Sequence, residues 1–238
     1  FAPVAALAAE APHAVHWFNS ESGWHAREHT LYFGAEAVMD LRELPMPGQH
    51  NASNVCAALT AIDALGLDAK ALALAAKQFQ PLPHRLQALG TLNGIRYIND
   101  SISTTPYASM AALECFSHED VALLVGGFDR GLSWEEFAEF VSKQPPKAII
   151  ALGQNGPRIA ERLRRIESPA FALIEAEDLP QAVQMAQAQL PKGGVVLLSP
   201  GAPSFGPYAD YVARGRHFAE LAGFDPNAIS RIPGLGLA

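Results

Sequence analysis

Cysteine is nearly missing from this chain: its 238 residues hold two, Cys56 and Cys115. They lie far apart and show no zinc-ligand spacing, which excludes a disulfide framework and leaves buried thiols of a reducing compartment as the simplest reading. Long apolar runs are missing too. None approaches the ~20 residues that span a bilayer, and no signal-peptide pattern opens the chain, so the expectation is a cytoplasmic protein with no membrane partner. Cations are in deficit, with 17 Lys and Arg against 24 Asp and Glu for a net charge of −7. That balance argues against a nucleic-acid partner. The arginines of "RIAERLRRI" recur at helical spacing and read as a solvated face.

Familiar catalytic patterns are also absent. There is no G-x-S-x-G, H-E-x-x-H, C-x-x-C or G-x-G-x-x-G, and no Gly is followed by Lys, which removes the phosphate-cradling P-loop. His50 and His84, in "GQHN" and "PHR", read as structural rather than as bases. An initial Met is missing as well. The opening "FAPVAALAAEAPHAVHWF" enters a helix-like pattern at once, as expected of a piece of something longer.

What is present suits one large or two small globular domains, at 49% hydrophobic and 17% charged residues. Residues 1–44 give a short helix and strand candidates "AVHWFN", "HTLYFG" and "AVMDLREL". A strongly helical run then starts in "GQHNASNVCAALTAIDALG", closes at Gly66 and is followed by a second helix, "LDAKALALAAKQF". Two prolines in "QPLPHR" mark a boundary, giving domains 1–80 and 81–225 with a loose tail over 226–238. From residue 81 a hairpin turning at Asn93-Gly94 leads into alternating apolar strands ("VALLVGG", "AIIALG", "FALIEA", "GVVLLSPGA") and amphipathic helices. This βαβ series predicts an α/β fold, a Rossmann-like doubly wound and mostly parallel sheet.

Three strand ends carry unusual loops: "NDSISTTP", "GGFDRG" and "SPGAPSFGPY". In a parallel sheet they emerge at one edge, where ligands bind. Thr104 or Thr105 could cap the helix that starts at Pro106, but one cap leaves three hydroxyls and Asp100 unexplained. Close glycines would let backbone N–H groups approach an anion, so the expectation is a cleft for an anionic ligand.

Read in order, "GQHNASNVCAALTA", "LPHRLQ", "INDSISTTP", "LLVGGFDRG" and "LLSPGAPSF" resemble the Mur ligases over residues 40–225. The resemblance implies the C-terminal remnant of a central ATPase domain over 1–80 and the Rossmann-like ligase domain over 81–225. It implies an ATP-dependent amide-forming enzyme, using Mg²⁺, that adds glutamate to UDP-N-acetylmuramoyl-L-alanine in peptidoglycan synthesis. This fragment would be inactive alone, and the enzyme a monomer. By the same resemblance Asn51, Arg85 and Asp100 would serve ATP: adenine, nucleotide and ribose respectively. Thr104, Arg130, Ser204, Phe205 and Tyr211 would line the glutamate site, the hydroxyl-rich turn serving ribose and glutamate together. Two departures stand out. The common form of the turn is "NDSKATN", where this chain has Ile102 for the Lys and Thr105-Pro106 for the final Asn, and Arg130 replaces a usual Lys. The "DSISTTP" form leans to L-glutamate. The alternatives are the D-glutamate-adding branch, a folylpolyglutamate-type ligase, and a non-catalytic module that binds a small anion.

Overall fold

The computed structural model describes residues 2–11, 13–191 and 193–230. The chain divides into two compact units, residues 1–80 and 81–238.

The first unit begins with helix α1 (Ala2–Ala9) and a three-stranded antiparallel sheet, β1 (Trp24–Arg27), β2 (Thr30–Phe33) and β3 (Glu36–Asp40). The expected first strand "AVHWFN" is not one. Strand pairing starts later because Trp24 is the aromatic that fills the core, at 1% exposure, whereas Trp17 and Phe18 stay exposed. Trp24, Leu31 and Met39 pack on Val55, Cys56 and Leu59 of α2 (Gln49–Ala64). Gly66 follows α2 at φ +75°, a left-handed stop that suits glycine. Helix α3 (Ala69–Ala73) is capped by Asp68, whose carboxylate accepts from the Ala71 N–H at 3.0 Å, and tightens into a 3₁₀ turn over Leu74–Gln78.

The second unit is a six-stranded sheet between two helix layers. Its strands are β4 (Gln87–Leu92), β5 (Ile95–Asn99), β6 (Val121–Val125), β7 (Ala148–Leu152), β8 (Ala172–Ala176) and β9 (Gly194–Leu198), in the order β4-β5-β9-β6-β7-β8. Only the β4–β5 hairpin is antiparallel. Asn93 and Gly94 turn it with φ of 52° and 78°, the pair of positive angles that such a tight turn needs. The helices are α4 (Pro106–Glu114), α5 (Glu135–Lys143), α6 (Gly156–Leu163), α7 (Leu179–Ala188) and α8 (Tyr211–Leu221).

Every residue of β6 is buried, and the two-residue period splits them between faces. Val121, Leu123 and Val125 meet α4, α5 and α6, while Ala122 and Leu124 meet α7 and α8. That is the doubly wound arrangement. The chain leaves β6 through α5 towards β7, but leaves β9 for α8, which packs on β5. The strand order thus reverses between β9 and β6, and a crevice opens outside their carboxyl ends.

Residues 226–230 are not a loose end. They include a 3₁₀ turn, Ala228–Ser230, in which Ile229 is buried and its carbonyl accepts from Gln87 Nε2 at 2.8 Å. Residues 231–238 of the expected tail lie outside the described residues. The "RIAERLRRI" face is solvated as expected, with Arg158, Arg162, Arg164 and Arg165 each paired to a carboxylate. Cys56 is buried and Cys115 half-buried, and burial pushes both thiols up to about 11, so neither is a thiolate.

Candidate functional site

Strand β5 ends at Asn99, and the next residues turn inward. Asp100 is 5% exposed; its Oδ1 accepts from the Leu86 N–H at 3.1 Å and its Oδ2 from Ser199 Oγ at 2.8 Å. Ser103 Oγ lies 3.0 Å from Ser199 Oγ, and Ser109 Oγ donates to the Ser199 carbonyl at 2.7 Å. Ser101 Oγ donates to the Tyr211 carbonyl at 2.7 Å. Thr105 is the cap of α4, its hydroxyl accepting from Ala108. The hydroxyl-rich turn is therefore mostly a set of internal fasteners, and Thr104 is the member left at the surface of the crevice. Burial raises the Asp100 carboxyl to about 6, opposed by the hydrogen bonds from Ser199, Leu86 and Ser103 and by the charge of Arg85.

The paired glycines serve packing and are not an anion cradle. A Cβ on Gly126 would lie 2.0 Å from the Leu152 carbonyl, and one on Gly127 2.3 Å from that of Pro203. Their N–H groups are already taken: Gly126 donates to the Pro200 carbonyl at 2.7 Å and Gly127 to Asn155 Oδ1 at 2.8 Å. Phe128 likewise donates to Pro203. The loops after β6, β7 and β9 touch backbone to backbone, which only glycine permits. The expectation that these N–H groups face a ligand is thus corrected by the close approach itself.

Beyond the glycines the same loop presents Asp129 and Arg130. Asp129 takes a two-pronged contact from Arg158, at 2.9 and 2.6 Å, and caps the turn through the Gly131 N–H. Arg158 also donates to the Leu132 carbonyl at 3.0 Å. Arg130 is exposed, and no hydrogen bond or ion pair engages it among the described residues. A loop braced by Arg158 thus holds out a guanidinium with no partner among the described residues.

Thr104 and Arg130 share a narrow cleft with Trp134 and Gly201, too tight for a water molecule. Ser204 and Phe205 line a different cavity, of about 410 Å³, walled by Leu152, Leu179 and Tyr208. Phe128 borders both, and its ring meets that of Phe205 edge-on at 5.9 Å. Tyr211 lines neither; it opens α8 and sets its ring against His84 at 5.9 Å. Arg85 is exposed next to buried His84. Asn51 lies in the first unit, buried in the first turn of α2, where its Nδ2 donates to the Pro47 carbonyl at 2.7 Å.

Two further buried residues shape this edge: His84, which the sequence reads as structural, and Arg214, which it does not single out. His84 is 1% exposed, with Nδ1 2.9 Å from Asn99 Nδ2. Burial, aided by the Arg216 charge, lowers it to about 4, so it is neutral and accepts at Nδ1. Arg214 is 4% exposed and reaches Ser101 and Ala202. Its signal was available: on α8 it lies four residues before Phe218, on the face the helix buries. No cluster of three His, Cys, Asp or Glu among the described residues could hold a metal ion.

Residues 84–201 match the family described as "Mur ligase, glutamate ligase domain". A "UDP-N-acetylmuramoyl-L-alanine–L-glutamate ligase" of Xanthomonas campestris pv. campestris is 59% identical over 225 residues, covering 94% of this chain and 48% of the relative. One of the same name from Xylella fastidiosa is 57% identical over 93% of this chain and 48% of its own length. The chain spans about half the length of the curated relatives it matches. Among solved structures, a bifunctional folylpolyglutamate synthase/dihydrofolate synthase from Yersinia pestis, complexed with AMPPNP and Mn, superposes with a TM-score of 0.57 at 17% identity, over 84% of this chain and 48% of that one. MurF from Acinetobacter baumannii gives 0.55 at 19% identity, over 73% and 39%. At such identities these two speak for the mixed α/β fold. The sequence relatives carry the further step: the chain belongs to the Mur ligase family.

Proposed function

We propose that this chain is the nucleophile-positioning part of an ATP-dependent ligase that adds L-glutamate to UDP-N-acetylmuramoyl-L-alanine. Relatives named for that reaction support it, at 59% identity over 94% of the chain. In the proposed chemistry the muramoyl-alanine carboxylate takes the γ-phosphoryl group of ATP and ADP leaves. The glutamate amine then attacks the acyl phosphate, phosphate departs from the tetrahedral intermediate, and the amine loses its proton. The nucleotide-bound Yersinia structure, with its Mn ion, is consistent with ATP and a divalent metal such as Mg²⁺. The sequence has no P-loop and the described residues form no metal cluster, so phosphates and metal would be held by the rest of the protein. A reaction fed by ATP and a UDP-linked precursor belongs in the cytoplasm.

The observation that carries the site is Arg130. A cation held out by a braced loop, at a cleft that Thr104 also lines, suits a substrate carboxylate. Ser204 and Phe205 would flank the rest of the glutamate from the β9 loop, and Tyr211, packed on His84 outside both cavities, would reach it only from the start of α8. Asn51 would face adenine and Arg85 would reach the nucleotide. Asp100, with a partner on each oxygen, would meet a ribose hydroxyl only through its remaining lone pairs. Positioning of this kind converts a bimolecular attack into a local one.

The decisive measurement is phosphate release by the full-length protein with ATP, Mg²⁺, UDP-N-acetylmuramoyl-L-alanine and each glutamate isomer. Release with L-glutamate well above that with D-glutamate is expected. Preference for the D isomer would overturn the stereochemical part and leave the ligase reading. The 238-residue chain alone should release nothing above background.

A further inference from the structure

Arg214 is a cation on the buried face of α8, 4% exposed. Its three hydrogen bonds among the described residues all go to neutral oxygens: Nε to Ser101 Oγ at 3.1 Å, Nη2 to the Ser101 carbonyl at 2.7 Å and Nη1 to the Ala202 carbonyl at 3.0 Å. Burying a guanidinium without a carboxylate pair costs desolvation that neutral acceptors return only in part. What the guanidinium gives that an apolar chain cannot is geometry. One planar fork spans two loops, the one after β5 and the one after β9, with donors fixed relative to each other. The loop after β6 abuts the same group, since a Cβ on Gly127 would lie 3.1 Å from Arg214 Nη1. Ser101 completes the knot by donating onward to the Tyr211 carbonyl, at the start of the helix that carries Arg214.

We infer that Arg214 is a positioning residue: it sets the Ala202–Phe205 loop against the Asp100–Thr104 turn and thereby governs how well the enzyme holds glutamate. This rests on the glutamate reading of Ser204 and Phe205. The two loops are not equally dependent on it. Without Arg214 the turn after β5 keeps the two Asp100 anchors to Leu86 and Ser199, whereas among the described bonds the Ala202–Phe205 loop keeps only the one from the Phe128 N–H to the Pro203 carbonyl. Loss of the fork should therefore fall on the amino acid and spare the nucleotide.

The test uses the full-length enzyme with Arg214→Lys, which keeps charge and stem but has one nitrogen, and with Ser101→Ala, which removes one arm. Arg214→Lys should raise the KM for glutamate about tenfold, a loss on the scale of one charge-assisted hydrogen bond, and change that for ATP less than about twofold. Ser101→Ala should fall between it and the wild type. Hydrogen exchange gives a readout independent of substrate: the Phe128 amide, bonded to the Pro203 carbonyl, should exchange faster while the amides of β6 do not. Equal KM increases for both substrates, or faster exchange throughout β6, would mean a general structural role and overturn the inference. So would an unchanged glutamate KM in Arg214→Lys. If the wild type turns over neither glutamate isomer, the glutamate reading fails instead, and unchanged Phe128 exchange in Arg214→Lys would then overturn the lock separately.

Discussion

The inner and outer layers of the sheet's carboxyl edge are built from the same kinds of residue and used in opposite ways. Inside, Asp100, Ser101, Ser103 and Arg214 find their partners within the protein. Outside, Arg130 and the Phe205 ring are exposed and Thr104 is half-buried, and no side-chain hydrogen bond engages Thr104 or Arg130 among the described residues. Neighbours in sequence fall on different sides: Asp129 is clamped by Arg158 while Arg130 is not, and Ser103 is buried while Thr104 borders a cleft. Residue type therefore says little about which polar group meets a substrate. The backbone at each position decides it, and the inner layer exists to hold the outer one still.

The largest expected effect comes from breaking the inner layer at its tightest point. Gly126 has φ +112°, and a Cβ there would lie 2.0 Å from the Leu152 carbonyl. Backbone cannot yield as a side-chain tip can, so Gly126→Ala should cost about 3–5 kcal/mol. For a unit of this size that lowers the melting temperature by about 10 °C, readable by calorimetry. Gly131→Ala, at φ +72° with nothing within 4 Å, should cost far less. Equal losses at the two positions would show that close packing of the loops is not what Gly126 provides.

This contrast also marks what could be read from the residues alone. The parallel sheet, the hairpin at Asn93-Gly94 and the solvated arginine face followed from period and turn chemistry, which are local. The three loops at one edge followed from topology. What could not be read was the direction of each hydroxyl, because Ser101, Ser103 and Thr104 are alike in sequence and differ only in where β9 and α8 bring their carbonyls and hydroxyls. The glycines misled for a related reason: a glycine that admits a ligand and one that admits another strand's backbone look the same until the neighbour is known. Strand β1 was misplaced because Trp17-Phe18 is as apolar as the segment that carries Trp24.

On the outer layer, Arg130→Ala should remove a charge-assisted contact of about 1.5–3 kcal/mol and raise the glutamate KM about 10- to 100-fold in the full-length enzyme. The ATP constant should stay within about twofold, and thermal stability should not move, since no hydrogen bond or ion pair engages Arg130 among the described residues. Stability loss in this variant would place Arg130 in the inner layer after all. Thr104→Val, which keeps the shape and drops a neutral hydroxyl, should raise the same KM only about 2- to 10-fold. A larger loss from Thr104→Val than from Arg130→Ala would reverse the roles assigned to the two.

The smallest effect expected in the wild type is the dependence of stability on pH contributed by the inner layer, and it is small because two buried groups oppose each other. Asp100 is raised to about 6 from 3.8, so between those values the unfolded chain has lost a proton that the folded one keeps, and stability falls as pH rises. His84 is lowered to about 4 from 6.5, so over that window the unfolded chain holds a proton that the folded one lacks, and stability rises with pH. Each slope is about 1.4 kcal/mol per pH unit, and from about pH 4 to 6 they cancel. Asp100→Asn removes one of them. Asn can accept from the Leu86 N–H with its oxygen and donate to Ser199 with its nitrogen, leaving that hydroxyl free to donate to Ser103, so the fold should survive. Urea unfolding followed at Trp134, repeated across pH at constant ionic strength, should then show the variant gaining stability relative to wild type by about 1.4 kcal/mol per unit from pH 4 to 6, and holding that gain above pH 6.5. A difference that does not vary with pH would mean that Asp100 is ionised in the folded protein throughout this range, and that its hydrogen bonds outweigh its burial.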